Sequence, residues 1–322
     1  MKVNPMSSLS QFVLAVVVLM YPPGSAWADD EHDGSRPDLV VFGDSLSDPG
    51  NIFLLTGQVS TAPYEVIPGA PYEIGGNHFS NGRTWAEALA QRLGSRDSDE
   101  PALSDPVRFD NFAFGGARAR AAGQAPSATD QVTLFLQVRG HVAAPEALYV
   151  VQFGGNDMRD ALAAATVDIN LAFAIMSDAV MTTSANIDRL YTAGARRFLV
   201  ANVPNLGAAP AIVALGASES ATFLTSIYNG LLEGALQALD VAPGIEIHRL
   251  DMFRFINDVV ASPDAFDIVN ATTPCLSFGV IEGAVCEEPG DHLFWDGIHP
   301  TRKGHLKLAQ KAVRVLRGSD ED

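Results

Sequence analysis

The stretch DLVVFGDSLSDPGN, residues 38–51, decides the fold. Leu39-Val-Val-Phe42 is a short apolar run that stops at Gly43 and gives way to the polar turn Asp44-Ser45-Leu46-Ser47-Asp48. A brief, β-branched run closed by glycine reads as a buried strand of a parallel sheet. The same design recurs down the chain. VRFDNFAF (107–114) is closed by Gly115-Gly116, and ALYVVQF (147–153) by Gly154-Gly155. RFLVANV (197–203) is closed by Pro204-Asn-Leu-Gly207, and IEIHRL (245–250) is the fifth such run.

Segments of helical period separate these runs. They are TWAEALAQRL (84–93), 167–193, 217–242 and TRKGHLKLAQKAVRVL (301–316). In the second, Ile169, Phe173, Met176, Val180, Ile187, Leu190 and Tyr191 keep near 3–4 spacing; in the last, basic residues oppose Leu306, Leu308, Val313 and Leu316. Strands alternating with helices predict βαβ units: an α/β fold with a central parallel sheet of about five strands, covered on both faces. No repeat, linker or composition break divides residues 37–317, which are expected to form one domain. Residues 318–322 are a polar tail. Two loop-rich stretches, 56–82 and 262–293, are expected to wall a substrate pocket.

The 322 residues are 47% apolar and 18% charged, which excludes fibrous and wholly disordered readings. The formal net charge of −17 repels phosphate backbones, so nucleic acid is not an expected partner. Lys2 precedes an unbroken apolar run, FVLAVVVLMY (12–21), and then Pro22, Pro23, Gly24 and Ala26-Trp27-Ala28. That order predicts a secretory signal peptide over residues 1–28, cut after Ala28, followed by a flexible acidic segment, 29–36. The run falls short of the ~20 residues that span a bilayer, and the mature chain is expected to carry no membrane segment. The two cysteines, Cys275 and Cys286, are expected to form a disulfide in an exported protein, secreted or periplasmic. A zinc site would need more ligands, and His292 stands alone.

Polar clusters fall where a parallel sheet binds its ligands, beyond the carboxyl ends of the strands. A serine nucleophile needs a base within hydrogen-bond reach. Ser45 leaves its strand through a glycine and can stand clear of the sheet. Asp296 and His299 are spaced i, i+3, which puts a carboxylate beside the imidazole and fixes its tautomer. The Ser45 amide, the Gly115 amide and the Asn156 side chain are candidate donors to a tetrahedral oxyanion. Asp157 reads as a structural acceptor, and His78, His141, His248 and His305 as structural or exposed.

In VFGDSLSDPGN (41–51), NFAFGGA (111–117), QFGGNDM (152–158) and FWDGIHPT (294–301), with HFSNGRTWAEALA (78–90), the chain resembles the GDSL lipase/esterase family of the SGNH hydrolase superfamily. The resemblance implies a flavodoxin-like three-layer α/β/α sandwich and hydrolysis of a small-molecule or lipid carboxylic ester without metal or cofactor. It makes Ser45 nucleophile and oxyanion donor, Gly115 the second donor with Gly116 beside it, Asn156 the third, and Asp296 and His299 the rest of a triad. The family also includes acyltransferases and phospholipases, which stay open as alternatives. A non-catalytic secreted binding module would be favoured only if a triad member were missing. An α/β-hydrolase reading fails, because it wants Gly-x-Ser-x-Gly and here Ser47 takes the place of the second glycine.

Overall fold

Strand β1 (Leu39–Gly43) is buried along its whole length and pairs in parallel with β2 (Leu148–Gln152). Beyond β2, β3 (Arg197–Ala201) and β4 (Glu246–Leu250) extend the sheet in the order β1-β2-β3-β4, all parallel. The computed structural model describes residues 39–57, 76–277 and 283–319. The expected signal peptide, the acidic segment 29–36 and most of loop 56–82 lie outside the described residues, as do 320–322 of the tail.

The sheet has four strands rather than five. The run 107–114 does lie outside β1, where Val41 N–H donates to Asp110 O (2.9 Å), Phe112 N–H to Val41 O (2.8 Å) and Phe114 N–H to Gly43 O (3.1 Å). Only Asn111 forms a bridge there, so the ladder is too brief to count as a strand. The second run in the chain thus flanks the first, giving the 2-1-3-4-5 order of a flavodoxin-like fold. The crevice above β1 is its topological switch point.

Alternation along the strands splits the core. Val40, Phe42, Tyr149, Val151, Phe198 and Val200 face one way, against helices α3 (Ala128–Val138), α5 (Ile169–Ala193) and α7 (Ser218–Leu239). Leu39, Val41, Leu148, Val150 and Leu199 face the other, against α2 (Trp85–Leu93), α8 (Met252–Ala261) and α9 (Arg302–Leu316). Both faces are covered, as parallel sheets require. Short helices α1 (Asn51–Thr56), α4 (Gly155–Ala165) and α6 (Pro210–Ala214) sit at strand or loop ends.

Local chemistry sets the helix limits. Thr84 and Glu87 form a capping box at α2, and Gly94 (φ 82°) ends it. Ser127 and Asp130 do the same for α3, and Thr301 caps α9. Helix α5 begins at Ile169, two residues into the expected segment 167–193, and is capped by Asp168, whose side chain accepts the Asn170 amide. Of its stripe, Met176, Val180, Ile187 and Leu190 are buried while Ile169 and Phe173 are exposed. The stretch 262–293 holds a small parallel pair, β5 (Asn270–Pro274) with β6 (His292–Phe294), and the expected Cys275–Cys286 disulfide.

Candidate active site

Strand β1 ends in a turn folded on its own carboxylate. Asp44 Oδ1 accepts the Leu46 amide (3.0 Å), and Asp44 O accepts the Ser47 and Asp48 amides (3.0 Å each). This single turn lifts the Ser45 side chain over the sheet. A Cβ on Gly43 would lie 3.0 Å from Gln152 O and 3.1 Å from Ser47, so glycine allows the close approach. Gln131 grips Gly43 on both sides, accepting its N–H (3.0 Å) and donating to its C=O (2.9 Å). Ser47 Oγ donates to Gln152 Oε1 (2.8 Å) and accepts from Trp85 Nε1 (3.1 Å). Burial, above all, pushes the Asp44 carboxyl up to about 6, against the Leu46 amide, Gln152 and His299, which pull it down.

From the far end of the chain, the loop between β6 and α9 brings Asp296 and His299 to Ser45. His299 Nδ1 lies 2.7 Å from Asp296 Oδ2, and Nε2 lies 2.9 Å from Ser45 Oγ. A proton on Nδ1 held by the carboxylate leaves the Nε2 lone pair facing the hydroxyl. Asp296 Oδ1 also accepts the amides of Ile298 (2.8 Å) and His299 (2.7 Å). Burial works to raise the Asp296 carboxyl. The charge and ring N–H of His299 and these two amides outweigh it and hold the group below the ordinary carboxylate value. All three side chains are buried or nearly so, with Ser45 the most open at 9% exposure.

Asn156 stands at the start of α4, where its Nδ2 donates to Ala117 O (2.9 Å) and keeps a second N–H. The turn 115–120 is fastened to α4. Ala119 N–H donates to Asp157 (2.8 Å), and Arg118 makes two bonds to Asp160 (2.6 and 2.8 Å). Arg120 reaches Asp157 in a 3.0 Å ion pair not aligned as a hydrogen bond, and also contacts Asp160. Asp157 is therefore a structural acceptor, as expected. The amide of Gly115, an expected donor, donates to Asp48 Oδ2 (2.7 Å).

Several site residues carry no sequence signal of their role. Phe79 packs on the His299 ring (centroids 5.2 Å apart), and a Cβ on Gly115 would lie 2.3 Å from it. Ser80 Oγ donates to Pro300 O (2.9 Å), Asn81 accepts the Arg302 amide (2.7 Å), and His305 Nδ1 accepts the Trp85 amide (3.2 Å). Segment 78–85 thus docks on the loop that carries His299. His305 is fully buried, and that burial pushes its imidazole down to about 3, which keeps it neutral. His78 is paired with Glu87 (2.9 Å) and His248 with Glu246 (3.0 Å).

Leu46 and Ile298, chain neighbours of Ser45 and His299, also line an apolar cavity with Leu206, Phe255, Ile256 and Leu308. Among the described residues, the sides of this cavity come from α8, α9 and the turn after β3. Among the described residues, no cluster of His, Cys, Asp and Glu could hold a metal ion, and no helix is long and apolar enough to cross a membrane.

Known proteins share much of this chain. Two GDSL esterase/lipases of Arabidopsis thaliana are 26% and 27% identical to it, over 88% and 83% of this chain and the same shares of their own. Among solved structures, an extracellular lipase from Streptomyces rimosus covers 86% of this chain and 99% of its own at 18% identity and a TM-score of 0.41. A phospholipase A1 from Streptomyces albidoflavus covers 88% and 100% at 15% identity and a TM-score of 0.40. The sequence model of the GDSL-like lipase/acylhydrolase family matches residues 39–312, and the chain belongs to that family of carboxylic ester hydrolases.

Proposed function

We propose that the protein hydrolyses carboxylic esters through an acyl-enzyme on Ser45. The observation that carries this is the continuous relay from Asp296 through His299 to Ser45, 2.7 Å and then 2.9 Å. As Ser45 Oγ attacks the ester carbonyl, His299 Nε2 takes its proton, and the Asp296 carboxylate steadies the imidazolium. The same nitrogen then protonates the leaving alkoxide. In the second half, His299 deprotonates water, which attacks the acyl-enzyme and frees the acid.

The oxyanion is held by the Ser45 amide, the spare N–H of Asn156 and a backbone amide of the 115–116 turn. Because Gly115 is bonded to Asp48, that third donor passes to Gly116. Gly116 has φ 77°, and its N–H meets no acceptor among the described residues. The cavity beside Leu46 and Ile298 takes an apolar part of the ester.

Ser45→Ala is expected to abolish turnover of a chromogenic short-chain ester without disturbing the fold. Wild-type turnover in that variant would sink the mechanism. The Cys275–Cys286 disulfide and the N-terminal sequence support export, with a mature chain beginning at Asp29. Mass spectrometry of exported protein that still carries Met1 would contradict the cleavage.

A further inference from the structure

We propose that Asp48 is a positioning residue of the oxyanion hole, its carboxylate coupling the nucleophile turn to the Gly115–Gly116 turn. The proposal rests on the ester-hydrolase mechanism and adds to it a part that touches no substrate.

Asp48 is 1% exposed. Its two oxygens serve two places at once. Oδ1 accepts the amides of Gly50 (2.8 Å) and Asn51 (2.6 Å), at the entrance to α1. Oδ2 accepts the amide of Ile52 (3.1 Å) and, 67 residues away in the chain, that of Gly115 (2.7 Å). Burial dominates the behaviour of the carboxyl and pushes it up to about 6, while these four amides pull it down.

Capping a helix needs one oxygen and a neutral side chain serves for it. A buried carboxylate with amides on both oxygens does more, because it fixes two chain segments against each other. The upper side of the glycine turn is equally closed. A Cβ on Gly115 would lie 2.3 Å from Phe79 and 2.9 Å from Ile52, and Ile52 is itself held by Asp48 Oδ2. Gly115 is thus pinned between Asp48 on one side and Phe79 with Ile52 on the other. The next amide along, that of Gly116, is set by that anchorage relative to Ser45, three residues before Asp48. Oxyanion donors act only when placed before the charge develops, so an anchor of this kind acts on the chemical step rather than on substrate binding.

The test uses Asp48→Asn and Asp48→Ser. The first puts an NH2 where one pair of amides expects an acceptor; the second leaves one oxygen for α1 and none for Gly115. Active protein is counted by titration with a serine-directed phosphonate, and kcat and KM are measured for a short-chain ester. We expect kcat to fall on the order of 10–10²-fold with KM nearly unchanged. Asn156→Ala alone is expected to lower kcat ~10²–10³-fold. If Asp48 acts through the same donors, adding Asp48→Asn to Asn156→Ala costs clearly less than the product of the two. Full kcat in folded Asp48 variants, a strictly multiplicative double variant, or failure of both variants to fold would each overturn the role and leave Asp48 as scaffold. Failure of the underlying mechanism looks different: wild-type protein would then neither turn over the ester nor react with the phosphonate.

Discussion

Nucleophile and base are held in opposite ways. Ser45 stands on a turn secured by side chains from distant parts of the chain: Gln131 (88 residues away) on Gly43, Gln152 (105 away) on Ser47, and Asn111 (64 away) on the Ser47 carbonyl. His299 and Asp296 sit in a loop that closes on itself. Asp296 accepts two amides of its own loop, Trp295 N–H donates to His299 O (2.8 Å), and Phe294 bridges Pro300. Behind this loop, Cys275 N–H reaches Phe294 O (3.0 Å) and Leu276 N–H reaches Trp295 O (2.6 Å), next to the disulfide. One arm is built by tertiary contacts and the other by local geometry with a covalent brace. Damage to the local arm should therefore be concentrated in catalysis, and damage to the distributed arm in stability.

The largest expected effect breaks the local arm at its charge. In Asp296→Asn the remaining oxygen can still take the Ile298 and His299 amides, so the loop should keep its shape. The amide NH2 would face His299 Nδ1 and force the proton onto Nε2, leaving Ser45 without a base. We expect kcat to drop ~10³–10⁴-fold with little change in KM or melting temperature. A loss of similar size in stability would mean that the loop is not self-supporting.

The same contrast explains what can be read from sequence. Asp296 and His299 are legible because i, i+3 spacing and a local turn bring them together. Ser45 is legible because a strand, a glycine and a polar turn follow one another directly. The grip of Gln131 on Gly43 has no local signature: a glutamine on a helix reads as surface. Helix α3, which carries it, is masked by the β-favouring composition of QVTLFLQV (131–138), though the Ser127–Asp130 capping box marks its start. Helix α4 is missed because its first turn, Gly155-Asn156-Asp157, reads as a loop. The bond from the Gly115 amide to Asp48 is not legible either, because residue type shows that a glycine amide is accessible, not which of two adjacent amides a buried carboxylate accepts. The sheet edge at 107–114 is expected as a strand because its residues suit one; its ladder to β1 stops at a single bridge.

A smaller effect comes from cutting the brace. Replacing both Cys275 and Cys286 by Ser releases a short loop and should cost a little under ~3 kcal/mol of stability. The backbone bonds from Cys275 and Leu276 to Phe294 and Trp295 remain available, so kcat at 25 °C should fall less than tenfold while activity is lost at lower temperature. Thermal unfolding and residual-activity curves recorded together check this. Coincident loss of kcat at 25 °C by orders of magnitude would show that the local arm depends on its covalent link.

The smallest effect probes the distributed arm. Gln131→Ala removes the side-chain acceptor of the Gly43 N–H and one donor to the Gly43 C=O, which keeps the Phe114 amide, in a place closed to water between β1 and α3. Two buried hydrogen bonds are lost together, and the site as a whole should lose about 2 kcal/mol, read as a lower urea midpoint with the slope unchanged. The turn above Gly43 keeps its own bonds to Asp44, and Ser47 keeps Gln152, so Ser45 should stay within reach of His299 and kcat should change by less than tenfold. If kcat instead collapses as in Asp296→Asn, then the nucleophile turn has no reserve of support. The many long-range bonds beneath Ser45 would then act as one cooperative unit in which each member is required.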